Sequence, residues 1–273
     1  MAIIEDTFIS HLVELRDRLI RALIAIAIAF ALIWFWPGFG TLYDFLAQPL
    51  IKTLPPGAKM IATGVITPFL IPLKVGLMAA FMLVLPYVLY QAWAFVAPGL
   101  YAHEKKMVLP LVVSSTVLFL AGIAFCYYVV FQQVFSFIAG FAPASITPAP
   151  DIEQYLSFVL TMFLAFGVAF EVPVAVIVLV RMGVVSVQQL RDFRGYFVVS
   201  ASIAAAVVTP PDVVSMLALL IPMCLLYELG IVASNLMGKV KAPDEKSDGD
   251  GVGTDRAARE MAAIEKDQNS GGR

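Results

Sequence analysis

The sequence predicts an all-α integral membrane protein: about six transmembrane helices in a curved bundle, the last two short, preceded by an amphipathic interfacial helix. Two observations carry this. Of 273 residues, 60% are hydrophobic and 14% charged, whereas soluble domains run at roughly 45–50% and 25%; mean hydropathy is +0.89. The apolar residues also fall in separated runs divided by short polar segments, several near the roughly 20 residues that a helix needs to cross a bilayer. Water-soluble folds have no place to bury that much apolar surface.

Taken in order, residues 4 to 19 are amphipathic. Phe8, Leu12, Leu15 and Leu19 recur at helical spacing, opposite a polar face with Glu14, Arg16, Asp17 and Arg18. This stretch is expected to lie along the membrane surface. Spans are predicted at residues 20 to 37, 73 to 97, 107 to 131, 155 to 181, 195 to 208 and 214 to 236. The fifth would rise about 21 Å, short of a hydrocarbon core of about 30 Å. Thr209-Pro210-Pro211-Asp212 then punctuates the chain. The last two spans are therefore expected as a short hairpin that thins the bilayer locally, or as a re-entrant pair. Pro86, Pro173 and Pro222 lie within spans and should kink them.

Residues 38 to 72 form the longest loop, broken by Pro49, Pro55, Pro56, Gly57, Pro68 and Pro72. With Phe45, Leu46 and Ile51 expected to be buried, it should fold as a structured cap. Residues 1 to 238 constitute one membrane domain. Residues 239 to 273 hold eight of the twenty acids and seven of the eighteen bases, a charged tail expected to be disordered.

Lys and Arg set the orientation. With the N-terminus inside, cytoplasmic segments carry Arg16, Arg18, Arg21, Lys105, Lys106, Arg181, Arg191 and Arg194, while the opposite side has Lys52, Lys59 and Lys74. Both termini are assigned to the cytoplasm. Acids before the first apolar run, with no small-residue cleavage site after it, disfavour a signal peptide.

Nucleotide and metal motifs are missing: there is no phosphate loop, and His103-Glu104 opens an H-E-x-x-H pattern that fails at Met107. Cys126 and Cys224 lie in apolar runs, where a free thiol is a small hydrophobe. No cofactor, metal, covalent catalysis or nucleic-acid partner is expected. The conspicuous ionisable group is Glu171, inside the fourth span among Phe163, Phe166, Phe170, Val172 and Val174. A carboxyl there must face the bundle interior or water; it is either a hydrogen-bonded acid beside the Pro173 break or a functional group. Glu14 can pair with Arg18 at i,i+4, and Glu104 can favour the N-terminus of the third span. Together they put two carboxylates on the cytoplasmic face, suited to a cationic ligand and above all to guanidinium.

Four ordered segments resemble the TatC family, the polytopic core subunit of the twin-arginine protein translocase. They are residues 11 to 19 (HLVELRDRL), 91 to 100 (QAWAFVAPGL) leading to Glu104, 166 to 173 (FGVAFEVP), and 209 to 212 (TPPD). The resemblance implies a receptor for signal peptides with two consecutive arginines on folded substrates, driven by the protonmotive force, in the bacterial cytoplasmic membrane. It implies single-span TatA- and TatB-type partners and self-association in a multi-copy complex. By motif position, Glu14 and Glu104 match the signal-recognition site, with Arg16, Phe95 and Pro49 at other sensitive positions. Pro210, Pro211 and Asp212 match a functional loop. Glu171 matches the intramembrane acid of the groove where partner helices dock. Where the family often has Ser-Gln, this chain has Ser215-Met216, leaving Thr161, Ser202 and Thr209 as candidate polar partners of Glu171. A secondary transporter of small cationic or proton-coupled solutes, titrating at Glu171, is the alternative.

Overall fold

The computed structural model describes residues 2–52, 60–96, 108–141, 149–209 and 213–236. Glu104, the turn at Pro210, Pro211 and Asp212, and the tail from 239 to 273 lie outside the described residues.

Helix α1 (Ala2–Phe35) is continuous over 34 residues. The surface helix expected over residues 4 to 19 is therefore not a separate element but the first half of α1. No Gly or Pro occurs before Pro37, so nothing in the backbone chemistry stops the helix. Helix α2 (Phe39–Ile51) carries Pro49 near its end. The second span is divided between α3 (Thr67–Leu83) and α4 (Leu85–Val96), which are bent by 63°. Pro86, just inside α4, cannot donate back to Met82 and enforces the break. Helix α3 starts six residues before the predicted span because Pro68 occupies its first turn, where a missing N–H costs nothing.

The third span joins α5 (Val108–Phe125), a π-helical turn (Cys126–Val130) and α6 (Phe131–Phe141). The fourth joins α7 (Ile152–Phe170) to α8 (Val172–Arg181), with Glu171 between them. Pro173 removes the donor that would continue α7, so the predicted kink is a break. A Ser186–Gln189 capping box starts α9 (Val187–Asp192). Two helices remain: α10 (Arg194–Val208), 15 residues, and α11 (Val213–Leu236), 24 residues. The expected short pair thus divides. Helix α10 rises only about 22 Å, but α11 rises about 36 Å and is long enough to cross; Pro222 lies inside α11 without ending it. Among the described residues four spans pass on length and apolarity, five with the bent α3–α4 pair.

The main core lies between α5, the π-helical turn, the start of α6 and α7, where Phe131, Phe163, Phe166 and Met162 are almost wholly buried. A Cβ on Gly122 would meet the Phe166 carbonyl oxygen at 2.5 Å, so α5 and α7 approach at backbone distance, as small residues permit in membranes.

The cap expected from residues 38 to 72 is present in its described parts. Tyr127 Oη donates to the Phe45 carbonyl at 2.8 Å, and Tyr155 Oη to the Leu46 carbonyl at 2.6 Å. Ile61 pairs with the strand-like start of α7 through Ile61 N to Pro150 O and Ile152 N to Ile61 O. Asp151 caps α7 by accepting from the Glu153 and Gln154 amides, and its other oxygen accepts from Thr63 N and Oγ1. Two expected core residues are not buried: Phe45 and Ile51 are each 49% exposed. Phe45 instead stacks on Tyr127 at the surface of the bundle, ring centroids 5.0 Å apart.

Candidate functional site

Helix α1 packs antiparallel on α4 through two side-chain crossings. His11 lies flat on Phe95, ring centroids 4.3 Å apart and 12° from parallel. Two turns further along α1, Arg18 reaches Gln91, Nη1 to Oε1 at 3.2 Å. Between them stands Glu14. Its Oε1 accepts from Arg18 Nε at 2.9 Å and Nη2 at 2.6 Å, and its Oε2 lies 3.8 Å from His11 Nδ1. The i,i+4 pairing open to Glu14 is therefore made. The carboxylate stays 42% exposed while Arg18 is 23% exposed, so the acid remains accessible with its guanidinium partner tucked toward α4.

Arg16 belongs elsewhere. At about 100° per residue it sits roughly 200° around α1 from Glu14, where Nε and Nη2 bond Asp17 at 2.9 and 2.8 Å. Of the residues grouped by the sequence, the fold brings Glu14 and Phe95 to one place, through His11, and points Arg16 away. The signal that identifies His11 and Arg18 is their i, i+3, i+7 spacing with Glu14; that for Gln91 is its place one turn before Phe95.

A second polar cluster lies across α4. Trp93 Nε1 donates to Ser115 Oγ on α5 at 2.8 Å, and Ser115 lies beside Glu171 at the α7–α8 break. Both carboxyl oxygens of Glu171 are buried and neither closes a hydrogen bond among the described residues. The three substitutes suggested by the sequence do not serve it: Thr161, Ser202 and Thr209 each donate to a carbonyl of their own helix, at Ser157, Val198 and Ala205. Sequence reasoning missed Ser115 because nothing in an apolar run shows which serine lies beside the acid. Pro49 lies in the cap, away from both clusters.

The family model described as Sec-independent protein translocase protein (TatC) matches residues 10–222. The chain belongs to the TatC family. TatC of Haemophilus influenzae is 50% identical over 227 residues, covering 83% of this chain and 88% of its own length. TatC of Escherichia coli K12 is 45% identical over 245 residues, covering 89% and 94%. A crystal structure titled twin arginine translocase receptor TatC superimposes with a TM-score of 0.72 at 37% identity, covering 83% of this chain and 98% of that one. These findings support the translocase reading of the sequence rather than the solute-transporter alternative.

Proposed function

We propose that this TatC-family chain is the receptor and scaffold subunit of a twin-arginine translocase in a bacterial cytoplasmic membrane, with both termini inside. Glu14 and Glu104 capture the paired arginines of a signal peptide, and Phe95 lines the same site. Single-span TatA- and TatB-type partners join the chain, in several copies, to carry folded substrates across at the expense of the protonmotive force. Glu171 serves partner-helix docking, while Pro49 and the loop at Pro210, Pro211 and Asp212 shape the opposite face. The chain performs no covalent chemistry and its membrane domain, residues 1 to 238, does the recognition.

The observation that carries this reading is the state of Glu14. An exposed carboxylate already accepts two hydrogen bonds from a guanidinium, the group a twin-arginine ligand would bring. The excess of Lys and Arg in the segments assigned to the inside supports the same face as the point of arrival. Binding of a twin-arginine peptide and a twin-lysine control to the purified chain tests it. Glu14→Lys with Glu104→Lys should abolish the preference for the arginine peptide; wild-type affinity in that double variant would refute the assignment.

A further inference from the structure

We propose that the open face of the His11 ring, together with the Oε2 edge of Glu14, is the subsite that takes a guanidinium in preference to an ammonium, with Arg18 as its positioning residue. The inference rests on the reading of Glu14 as part of the arginine-recognition site and deepens it.

Carboxylates favour a guanidinium fork over an ammonium through paired hydrogen bonds, but Oε1 of Glu14 is already taken by Arg18, so this carboxylate offers a ligand only its Oε2 edge. Further discrimination needs a group that responds to the guanidinium plane. His11 supplies one. Its ring is held from below by Phe95 at 4.3 Å, nearly parallel, so α4 fixes the plane while 47% of the side chain stays exposed. The Oε2 edge of Glu14 borders that ring at 3.8 Å from Nδ1. A guanidinium stacks through its face and donates through its edge; the corner between ring and carboxylate meets both needs together. An ammonium is a compact, strongly hydrated point charge that gains less from the ring face and pairs chiefly with the carboxylate.

Arg18 explains why the ligand is directed to this corner. Two of its nitrogens converge on Glu14 Oε1 and a third is anchored to Gln91 on α4, where Gln91 is only 6% exposed. That grip commits one carboxylate oxygen, fixes the rotation of the group, and turns Oε2 toward His11. His11, Glu14 and Arg18 share one stripe of α1 at i, i+3 and i+7, so one helix sets the whole arrangement and one neighbour, α4, locks it.

The test uses the full chain in detergent and two peptides differing only in Arg-Arg against Lys-Lys. His11→Leu should lower the arginine-to-lysine affinity ratio by about two- to fivefold, the range of an exposed cation–π contact, with the arginine peptide losing more than the lysine peptide. His11→Phe, which keeps a plane without the ring nitrogens, should hold the ratio within about twofold of wild type. Arg18→Lys, which keeps the charge but not the fork, should lower the ratio as His11→Leu does. An unchanged ratio in His11→Leu, or an equal fall in His11→Phe, overturns the stacking subsite; an unchanged ratio in Arg18→Lys overturns the positioning role. Glu14→Gln separates this from the parent reading. If it binds the arginine peptide like wild type, the receptor assignment of Glu14 itself fails; if it loses binding while the His11 variants show no effect, only the subsite fails.

Discussion

The Tyr127 hydroxyl donates a 2.8 Å hydrogen bond to the Phe45 carbonyl, the acceptor that Pro49, four residues further along α2, leaves without its helical donor. A proline near the end of a short helix would ordinarily expose that carbonyl. Here a side chain from the π-helical turn of the third span satisfies it and ties the cap to the bundle. Tyr127→Phe should therefore destabilise the protein by about 0.5–1.5 kcal/mol, visible as a lower Tm in detergent. Pro49→Ala restores a backbone donor to Phe45, so the two changes should be non-additive. The penalty of Tyr127→Phe should shrink in the Pro49→Ala background, and strict additivity would mean that the two residues do not share the carbonyl.

Helices α8 and α11 meet with almost nothing between them: a Cβ on Gly230 would come within 2.9 Å of Pro173 Cα. Neither backbone can yield cheaply, because Pro173 is fixed by its ring. Gly230→Val should push α11 off α8 at a cost of about 1–3 kcal/mol, the range for overpacking. Gly230→Ala should show the same sign and a smaller effect. Thermal unfolding of the two variants in one detergent provides the measurement, and a Tm for Gly230→Val equal to wild type would contradict this contact.

Asp151 joins the first loop to the fourth span, accepting from Thr63 with one oxygen and capping α7 with the other. The Thr63 hydroxyl, followed by the α7 amides and the Thr63 amide, holds its carboxyl below the ordinary 3.8. A depressed carboxylate adds stability that is fully present above its unfolded pKa and is lost as pH falls through the folded one. Wild-type Tm should thus decline between about pH 4 and pH 2 by more than that of Asp151→Ala, which starts lower and lacks this titration. Parallel pH curves for the two proteins would remove Asp151 from the cap.

The legible parts of this fold were those governed by local chemistry. Span positions followed from apolar runs, and the breaks near Val84 and Glu171 followed from Pro86 and Pro173, because a missing donor acts at a fixed offset. The end of the surface stretch was not legible: amphipathicity changes along α1 without any Gly or Pro to interrupt it, so polarity changes while the helix does not. The π-helical turn at Cys126–Val130 left no mark in residue types. At the site, Glu14 and Arg18 were legible as an i,i+4 pair. The stacking of His11 on Phe95 was not, since it depends on how α1 and α4 cross. The same holds for Ser115, which gains meaning only when α5 is set against the break at Glu171.

Glu171 presents the sharpest separation of stability from function. A buried polar group with no hydrogen bond costs about 1–3 kcal/mol, and both oxygens of this carboxyl are in that condition. Replacing it with an apolar residue of similar size should relieve the cost, so Glu171→Leu is expected to raise Tm in detergent. If the acid instead serves partner docking, the same change should weaken site-specific crosslinking from position 171 to a partner's transmembrane helix and lower export, with binding of a twin-arginine peptide at Glu14 intact. Glu171→Gln retains a polar group and should fall between the two. Ser115→Ala strips Trp93 of its acceptor, so it should destabilise where Glu171→Leu stabilises. A stabilised Glu171→Leu that crosslinks and exports like wild type would make the carboxyl dispensable for partner docking.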